Sequence, residues 1–365
     1  MKKTNKVSDK LKREDMPPCK YFLSTGSTLL DLAISDRHPG GVGSGRITHI
    51  YGDNSTAKSV LVQEILGSAQ AAGGHAIFED SEETLDFERA EKHFNLSVGK
   101  WRNDVVLTKQ GEDKLEDAVK VDEQFTYRVP QSIEELFDGE IGPATELIRN
   151  GKLKGPVAIG VDTFSALPSI AEQQAELTDA TYGTSRAKMY STAFRKYVHP
   201  MASTDLTVVA VDQTREKIGV TWGKKHAVSG GKAIQFYSST RILLRHLGNI
   251  LNKHKHVIGV KIGFEIEKNK IAPPFREGYF RLLFDYGIDD LASNLEWLKD
   301  NTPEKFDSKL AVAGSWWTWG DMKEQGLEKL ILMIETAKLE DEVRDEVVRV
   351  WKVTHAPLGR KKRTR

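Results

Sequence analysis

The stretch GRITHIYGDNSTAKSVLV, residues 45–62, decides the fold. Its apolar, β-branched run 47–51 predicts a short buried strand, and the apolar spacing from Val60 onward predicts a helix. Between them, residues 52–59 follow the phosphate-binding pattern G-x-x-x-x-G-K-[ST], with Ala57 at the second glycine. The stretch therefore predicts a strand, a phosphate-binding loop and a helix. The alternative is an ordinary strand-to-helix loop.

Such a loop needs a backbone that curls around phosphate oxygens, a helix N-terminus, a lysine and a hydroxyl that can bind Mg²⁺. Lys58 and Ser59 supply the last two. Alanine at position 57 costs little only if the backbone there needs no positive φ. The predicted nucleotide-binding residues of the loop are Gly52, Asp53, Asn54, Ser55, Thr56, Ala57, Lys58 and Ser59.

The composition limits the function classes. A formal net charge of +1 over 365 residues gives no overall argument for a nucleic-acid partner, so any such surface must be a local patch. Cys19 is the only cysteine, which excludes an intramolecular disulfide and a cysteine-based zinc site. No apolar run approaches the roughly 20 residues that span a membrane, and the basic N-terminus lacks the apolar core of a signal peptide. We therefore expect a cytoplasmic protein with no membrane contact.

Predicted strands alternate with helices along most of the chain, which indicates an α/β fold with a mostly parallel twisted sheet. In such folds ligands bind at the carboxyl ends of the strands. Further strands are predicted at 75–78, 156–162, 206–211, 239–247, 259–268 and 279–284.

The remaining segments suggest a domain organisation. We expect an N-terminal segment at 1–21, an ATPase-type core at 22–287, a small α-rich C-terminal domain at 288–358 and a basic tail at 359–365. Residues 97–131 are polar and lack sustained periodicity, so we interpret them as a surface insertion. The C-terminal domain is predicted to be helical around a cluster of tryptophans, Trp316, Trp317 and Trp319.

Carboxylates follow two of the predicted strands. Asp162 ends the strand PVAIGVD, where it could hold Mg²⁺ through water near the Ser59 hydroxyl. Glu82 lies just past the second strand, where it could polarise the water that attacks a γ-phosphate. On sequence alone three neighbours compete for that role, and several of the four acids are expected to be plain surface charge: Glu79, Asp80 and Glu83.

A long loop follows the strand that Gln213 ends. A neutral amide at that point could sense the γ-phosphate and pass its presence to residues 214–231, which are basic and glycine-rich with an apolar tip. Basic groups bind DNA phosphates, and apolar side chains wedge or stack between bases. The alternative is a flexible, solvated loop.

Taken together, these motifs resemble those of the RecA-type homologous recombinases. The matching stretches run in family order over about residues 22–320: FLSTGSTLLDLAI, GRITHIYGDNSTAKS, FEDSEETLD, GVDTFSALPSIAE, VDQTREKIGVTWG, SGGKAIQFYSSTR, KNKIAPPF and GSWWTW. The resemblance implies a RecA-like P-loop ATPase core that uses ATP and Mg²⁺. It also implies a helical homo-oligomeric filament on single-stranded DNA that pairs with homologous duplex in recombination and repair, with single-strand-binding and mediator proteins as candidate partners.

The resemblance also assigns residue roles. Glu82 is similar to the family's water-activating glutamate, and Gln213 to its nucleotide-sensing glutamine. Lys268 and Lys270 match two lysines that reach the ATP of the neighbouring subunit, and Asp86 matches an adenine-side contact. The expected catalytic set is thus Lys58, Glu82, Gln213, Lys268 and Lys270, with Ser59 and Asp162 at the metal.

Two segments resemble the family's DNA-binding loops. Residues 172–183 resemble the first loop, and residues 214–231 resemble the second, with Ile218 at the wedge position. Phe236 matches an interface aromatic. The expected DNA contacts are Tyr182, Gly183, Lys188, Arg195, Arg215, Lys217, Ile218, Gly219, Val220, Trp222, Gly230 and Gly231.

Several departures from the family pattern are typical of a divergent member, of phage or cellular origin. Asp212 stands where the family usually has asparagine, the N-terminal segment is short, and the C-terminus is basic instead of acidic. Ala57 motivates one alternative function, a nucleotide-gated scaffold that coats single strands with little hydrolysis. A second alternative is a RecA-fold motor such as a ring helicase.

Overall fold

A computed structural model describes residues 19–98, 124–175, 182–216, 226–228 and 233–356. A large sheet organises these residues, with strand order β12-β11-β10-β9-β3-β7-β6-β4-β5 and β8 paired to β7. Its strands are β3 (Ile47–Gly52), β4 (His75–Asp80), β5 (Phe125–Arg128), β6 (Val157–Asp162), β7 (Thr207–Glu216), β8 (His226–Val228), β9 (Thr240–Leu251), β10 (Val257–Asn269), β11 (Glu277–Leu283) and β12 (Gly287–Asp289). The short strands β1 (Phe22–Leu23) and β2 (Val42–Gly43) pair separately.

The strands from β9 through β3, β7, β6 and β4 to β5 are parallel, and β10 to β12 continue the sheet in antiparallel fashion. This confirms the predicted mostly parallel α/β sheet. The phosphate-loop strand β3 lies between β7 and β9, near the middle of the sheet.

Alternating side chains of the strands pack into two hydrophobic cores, one on each face of the sheet. In β7, Val209 and Val211 point to one core, whereas Val208 and Ala210 point to the other. The first face packs on α1 (Thr28–Ser35), α2 (Lys58–Ala71), α8 (Asp290–Asn301), α9 (Leu327–Ala337) and α10 (Glu340–Thr354). The second packs on a π-helix (Glu135–Ile141), α4 (Gly142–Arg149), α6 (Tyr182–Ser203) and α7 (Ala233–Tyr237). The short helices α3 (Phe87–His93), α5 (Ile170–Gln174) and a 3₁₀ turn (Phe164–Ala166) lie near the strand ends.

The interpretation of residues 97–131 as a surface insertion is wrong for their C-terminal part. Residues 125–128 form β5, which pairs in parallel with β4 at the edge of the main sheet. The Tyr127 ring packs against Phe87 at 5.0 Å between centroids. A four-residue strand is too short to show periodicity after a long polar run. Residues 99–123 lie outside the described part of the chain.

The tryptophan cluster forms strands instead of helix. Residues 310–325 form a three-stranded antiparallel sheet of β13 (Leu310–Ala313), β14 (Trp316–Trp319) and β15 (Met322–Gln325). Gly314 and Gly320 adopt positive φ in the two turns, and aromatic and β-branched residues favour the strand between them. Trp319 is buried in the same core as the helices of this region. Within the described residues, no helix is both long and apolar enough to cross a bilayer.

Candidate nucleotide-binding site

The phosphate-binding loop begins where β3 ends. Gly52 lies opposite Gln213 of β7 and Leu244 of β9. A Cβ on Gly52 would lie 2.4 Å from the Leu244 carbonyl oxygen. No side chain fits at that distance, so glycine is required where the chain leaves the sheet.

Ala57 adopts the conformation that the sequence left open. Its φ of 64° and ψ of 22° place it in the left-handed region, at the N-cap of α2. An L-residue with a Cβ pays roughly 1–2 kcal/mol there, whereas glycine does not. Because alanine offers no side-chain acceptor, the first N–H groups of α2 receive no side-chain cap at this position and can face an anion. The altered residue thus keeps the shape of the loop at a cost in stability.

The substitution Ala57→Gly is expected to raise the free energy of unfolding by up to about 1 kcal/mol, because it removes the left-handed strain. Chemical denaturation with and without ATP measures the effect. Ala69→Gly is the matched control, since Ala69 is buried in the middle of α2, where glycine should destabilise by about 1 kcal/mol. Equal destabilisation by both changes would contradict the left-handed conformation at position 57.

Lys58 folds back onto its own loop. Its Nζ donates to the Asp53 carbonyl at 2.6 Å, and Thr56 Oγ1 donates to the same oxygen at 2.8 Å. Burial lowers the pKa of Lys58, while nearby Asp162, Asp53 and Glu82 raise it in opposition. The loop therefore presents a desolvated cation beside a group of carboxylates. Asp53 also accepts a hydrogen bond from the Thr214 hydroxyl, directly after Gln213.

Ser59 and Asp162 lie together, as the metal prediction requires. The Ser59 hydroxyl is hydrogen-bonded to the Asp162 side chain. Burial raises the pKa of Asp162, and Glu82 and Asp80 raise it further, so negative charge accumulates there without full compensation. One hydroxyl and one carboxylate suit Mg²⁺, which completes its shell with water and phosphate oxygens. Consistent with so few protein ligands, the described residues contain no group of three acidic, histidine or cysteine side chains that could hold a metal alone.

The four acids at the end of β4 and just beyond it have different environments, since two are buried and two are exposed. Asp80 is fully buried and holds the turn, because its carboxylate accepts from the N–H groups of Thr84 and Leu85, both at 2.8 Å. Glu79 is also fully buried, on the strand opposite Arg128. Their burial depends on pairing with β5, which the sequence did not reveal. Glu82 and its neighbour Glu83 are exposed.

Glu82 is held towards Asp162 by contacts that sequence reasoning missed. The Thr163 hydroxyl donates to the Glu82 carboxylate. The Ser81 hydroxyl in turn forms two hydrogen bonds with the Thr163 backbone. It donates to the carbonyl at 2.8 Å and accepts from the N–H at 2.9 Å. A hydroxyl residue directly after the strand-ending aspartate was the only local signal for this contact.

Asp86 shares a cavity with the metal pair. A cleft of about 170 Å³ between α2 and α3 is lined in part by Ser59, Asp86, Arg89 and Asp162. Asp86 caps α3, accepting from the Arg89 N–H at 3.0 Å, and remains exposed. The adenine-side prediction for Asp86 is therefore compatible with its position.

Lys268 and Lys270 lie at the other end of the strands. The Lys270 N–H donates to the Ser239 carbonyl, and the Ser239 N–H donates to Ile47 at the start of β3. Ile47 and Gly52 are opposite ends of β3, roughly 16 Å apart at about 3.3 Å per residue. The two lysines are thus brought together with each other but not with the phosphate loop of their own chain. Phe236, which is 72% exposed, lies beside them, since Lys268 Nζ donates to its carbonyl at 2.8 Å.

The predicted DNA-contacting residues are only partly described. Lys188 and Arg195 are exposed and lie two turns apart on one side of α6. Tyr182 and Gly183 are the first residues of that helix. Arg215 is the second-last residue of β7, where its backbone pairs with Ala227 of β8. The other predicted contacts fall outside the described residues: Lys217, Ile218, Gly219, Val220, Trp222, Gly230 and Gly231.

A phosphate-binding loop after a central parallel strand, with a carboxylate at the end of the next strand but one, defines a P-loop nucleotide-binding protein. Residues 10–126 and 140–289 match the RecA N-terminal domain family. The chain therefore belongs to the RecA family, as its motifs predicted.

Comparison with individual relatives supports this assignment. The chain is 34% identical to the protein RecA of Chlamydia trachomatis serovar D over 82% of its length and 74% of the relative. It is 33% identical to the protein RecA of Thermus thermophilus over 89% and 84% of the two chains, and 32% identical to that of Corynebacterium efficiens over 92% and 76%. Family membership confirms the expected DNA recombination and repair function, and the scaffold and helicase alternatives are not favoured. In general terms it makes the chain a DNA-dependent ATPase that binds a nucleotide with a divalent metal, binds DNA and self-associates.

Proposed function

We propose that this protein hydrolyses ATP with Mg²⁺ in a helical filament on single-stranded DNA and couples that cycle to pairing and strand exchange with homologous duplex. The observation that carries the proposal is the convergence of Lys58, Ser59, Asp162 and Glu82 at the carboxyl ends of three parallel strands. Gln213 is level with the start of the loop, because it pairs with Gly52. Together these residues supply the cation, metal ligands, base and sensor that phosphoryl transfer requires.

Each residue has a chemical task. The loop N–H groups and Lys58 bind the phosphates, and Ser59 with Asp162 would hold Mg²⁺, which offsets charge on the phosphate oxygens. The Glu82 carboxylate, oriented by Thr163, accepts a proton from the attacking water. Gln213 is exposed beside the loop and precedes residues 214–231, the proposed second DNA-binding loop.

The position of the two lysines supports a site shared between subunits. Lys268 and Lys270 cannot reach the phosphate loop of their own chain without crossing the length of β3. In a filament, the same lysines would complete the site of a neighbouring copy, with Phe236 in the same contact. Positive charge supplied in this way stabilises the transferring phosphoryl group.

Two measurements on the unaltered protein test the proposal. Single-stranded DNA should stimulate ATP hydrolysis, and joint molecules should form with homologous but not with unrelated duplex. Electron microscopy with ATP and single-stranded DNA should show open helical filaments. Closed rings, or equal pairing with unrelated duplex, would contradict it.

The shared site also predicts a pH dependence. Burial, together with Lys270 and Arg241, lowers the pKa of Lys268 to about 8. Contact with a triphosphate favours the charged lysine, so assembly should take up protons above pH 8 and weaken as the pH rises from 7 to 9. Light scattering of ATP-induced assembly across this range measures the effect. Lys268→Arg, which stays charged, should flatten the profile, and an equally steep profile in that variant would exclude Lys268 as the titrating group.

A further inference from the structure

A row of polar side chains crosses the central sheet. Glu267 of β10 accepts from Arg241 Nη1 of β9 at 3.1 Å, and Arg241 Nε lies 3.4 Å from His49 Nδ1 of β3. His49 Nε2 is 2.8 Å from Asp212 Oδ2 of β7, and Asp212 Oδ1 accepts from the Ser165 N–H at 2.7 Å, just past β6. These residues come from consecutive strands of the sheet. We call the five residues the transverse polar relay.

The hydrogen-bond donors on either side of His49 and Asp212 determine which ring nitrogen of His49 carries its proton. Arg241 Nε and the Ser165 backbone nitrogen can only donate. His49 Nδ1 must therefore accept, so its proton lies on Nε2 and is donated to Asp212. His49 and Asp212 are both fully buried, and a buried donor or acceptor that loses its partner is costly. Each link therefore depends on the next.

One end of the relay lies at the lysine pair. Glu267 directly precedes Lys268 in the sequence. The Arg241 guanidinium lies 4.5 Å from the centre of the Tyr51 ring, and the Tyr51 hydroxyl donates to Glu267. Because Tyr51 directly precedes Gly52, this end also contacts the strand that carries the phosphate loop.

The other end lies at the bases of both proposed DNA-binding segments. Asp212 directly precedes Gln213 and the second segment. The Ser165 carbonyl accepts from Arg186 Nη1 at 3.3 Å, and Arg186 Nε lies 3.2 Å from Glu172 Oε2. Glu172, on α5, is the first residue of the first segment, and Arg186, on α6, follows that segment.

We propose that Arg241, His49 and Asp212 are positioning residues that couple the subunit face at Lys268 to the bases of the DNA-binding segments. The inference rests on the proposed function, because it needs a nucleotide shared between subunits. A shift of β10 when Lys268 engages a neighbour's nucleotide moves Glu267 and Arg241, and the buried links carry that shift to Asp212. A contiguous hydrogen-bonded network of this kind is a physical route for coupling between sites.

Asp212→Asn tests the relay with little change in shape. The asparagine oxygen can accept one N–H, but its amide group then faces the second donor, so either His49 or Ser165 loses its acceptor. We expect DNA stimulation of ATP hydrolysis to fall by about tenfold, within the usual range of coupling between sites. ATP affinity and the rate of hydrolysis without DNA should stay within about threefold of the unaltered protein, because the change removes the coupling and leaves the nucleotide site intact. Glu64→Gln is the matched control, since Glu64 is also a buried carboxylate and lies outside the relay; it should keep full stimulation.

A rescue variant distinguishes coupling from simple damage. In His49→Glu combined with Asp212→Asn, the new carboxylate accepts from Arg241 and from the asparagine amide, while the asparagine oxygen still accepts from Ser165. The net charge of the relay is unchanged. We expect the double variant to recover DNA stimulation. His49→Glu alone places a second carboxylate beside that of Asp212, and the repulsion between them should abolish the stimulation.

Two results would overturn the relay. One is full DNA stimulation in Asp212→Asn. The other is a double variant that melts like the unaltered protein yet is stimulated no better than either single variant. Lack of DNA-stimulated hydrolysis in the unaltered protein would instead overturn the proposed function.

Discussion

Replacing Glu82 by glutamine is expected to slow ATP hydrolysis by about 10²–10⁴-fold, the usual contribution of a general base. The amide keeps the size of the side chain and can still accept from the Thr163 hydroxyl, so the turn should persist. ATP-dependent DNA binding should therefore remain, and filaments should become longer-lived because release needs hydrolysis. Steady-state turnover and DNA binding with and without ATP measure both effects.

Glu83→Gln is the control for this change. Glu83 is the adjacent exposed acid, and its neutralisation alters local charge by the same amount. It should hydrolyse ATP at close to the rate of the unaltered protein. Normal turnover in Glu82→Gln would exclude that carboxylate as the base, and DNA binding that no longer needs ATP would contradict the proposed coupling.

The second large effect is expected from Lys58→Ala. Removal of a single charge-stabilising donor at a transition state typically costs about 10²–10³-fold in turnover, and Lys58 should also contribute to ATP binding. We therefore expect turnover to fall by at least about 10²–10³-fold. Single-turnover hydrolysis at saturating ATP measures the chemical step apart from binding.

The fold should survive the loss of Lys58. Because burial lowers the pKa of this lysine below its usual value, its positive charge at neutral pH opposes folding. Alanine also favours the first turn of a helix. The thermal midpoint should hence change little, as it should for Lys329→Ala on the exposed side of α9. Retained turnover in a folded Lys58→Ala protein would exclude the phosphate-loop assignment.

Local patterns were sufficient to predict the strand, loop and helix around residues 45–62. The apolar run, the glycine and the Lys58-Ser59 pair are adjacent in sequence, so their geometry is set locally. The same holds for Asp162, which ends β6, and for Gln213, where the parallel pairing of β7 with β3 ends, since such residues lie at the binding edge.

Features that depend on distant pairing could not be predicted. The burial of Glu79 and Asp80 follows from β5, which lies beyond a long polar segment. The contact between His49 and Asp212 joins two strands that become neighbours only in the folded sheet. The φ of Ala57 depends on the angle at which α2 leaves the sheet, which residue identity does not encode.

The separation of the lysine pair from the phosphate loop has a consequence for polymer behaviour. In the proposed filament, each contact between copies completes one site, so a row of subunits contains one fewer complete site than it has members. The two terminal copies differ. At one end, the phosphate loop has no neighbouring lysines to complete it, and at the other end, the lysines have no neighbouring loop to reach. Growth and loss at the two ends should then proceed at different rates, and hydrolysis per subunit should rise with filament length. A single subunit would have no complete site and would not hydrolyse ATP, and the difference between the two ends would give the polymer a direction.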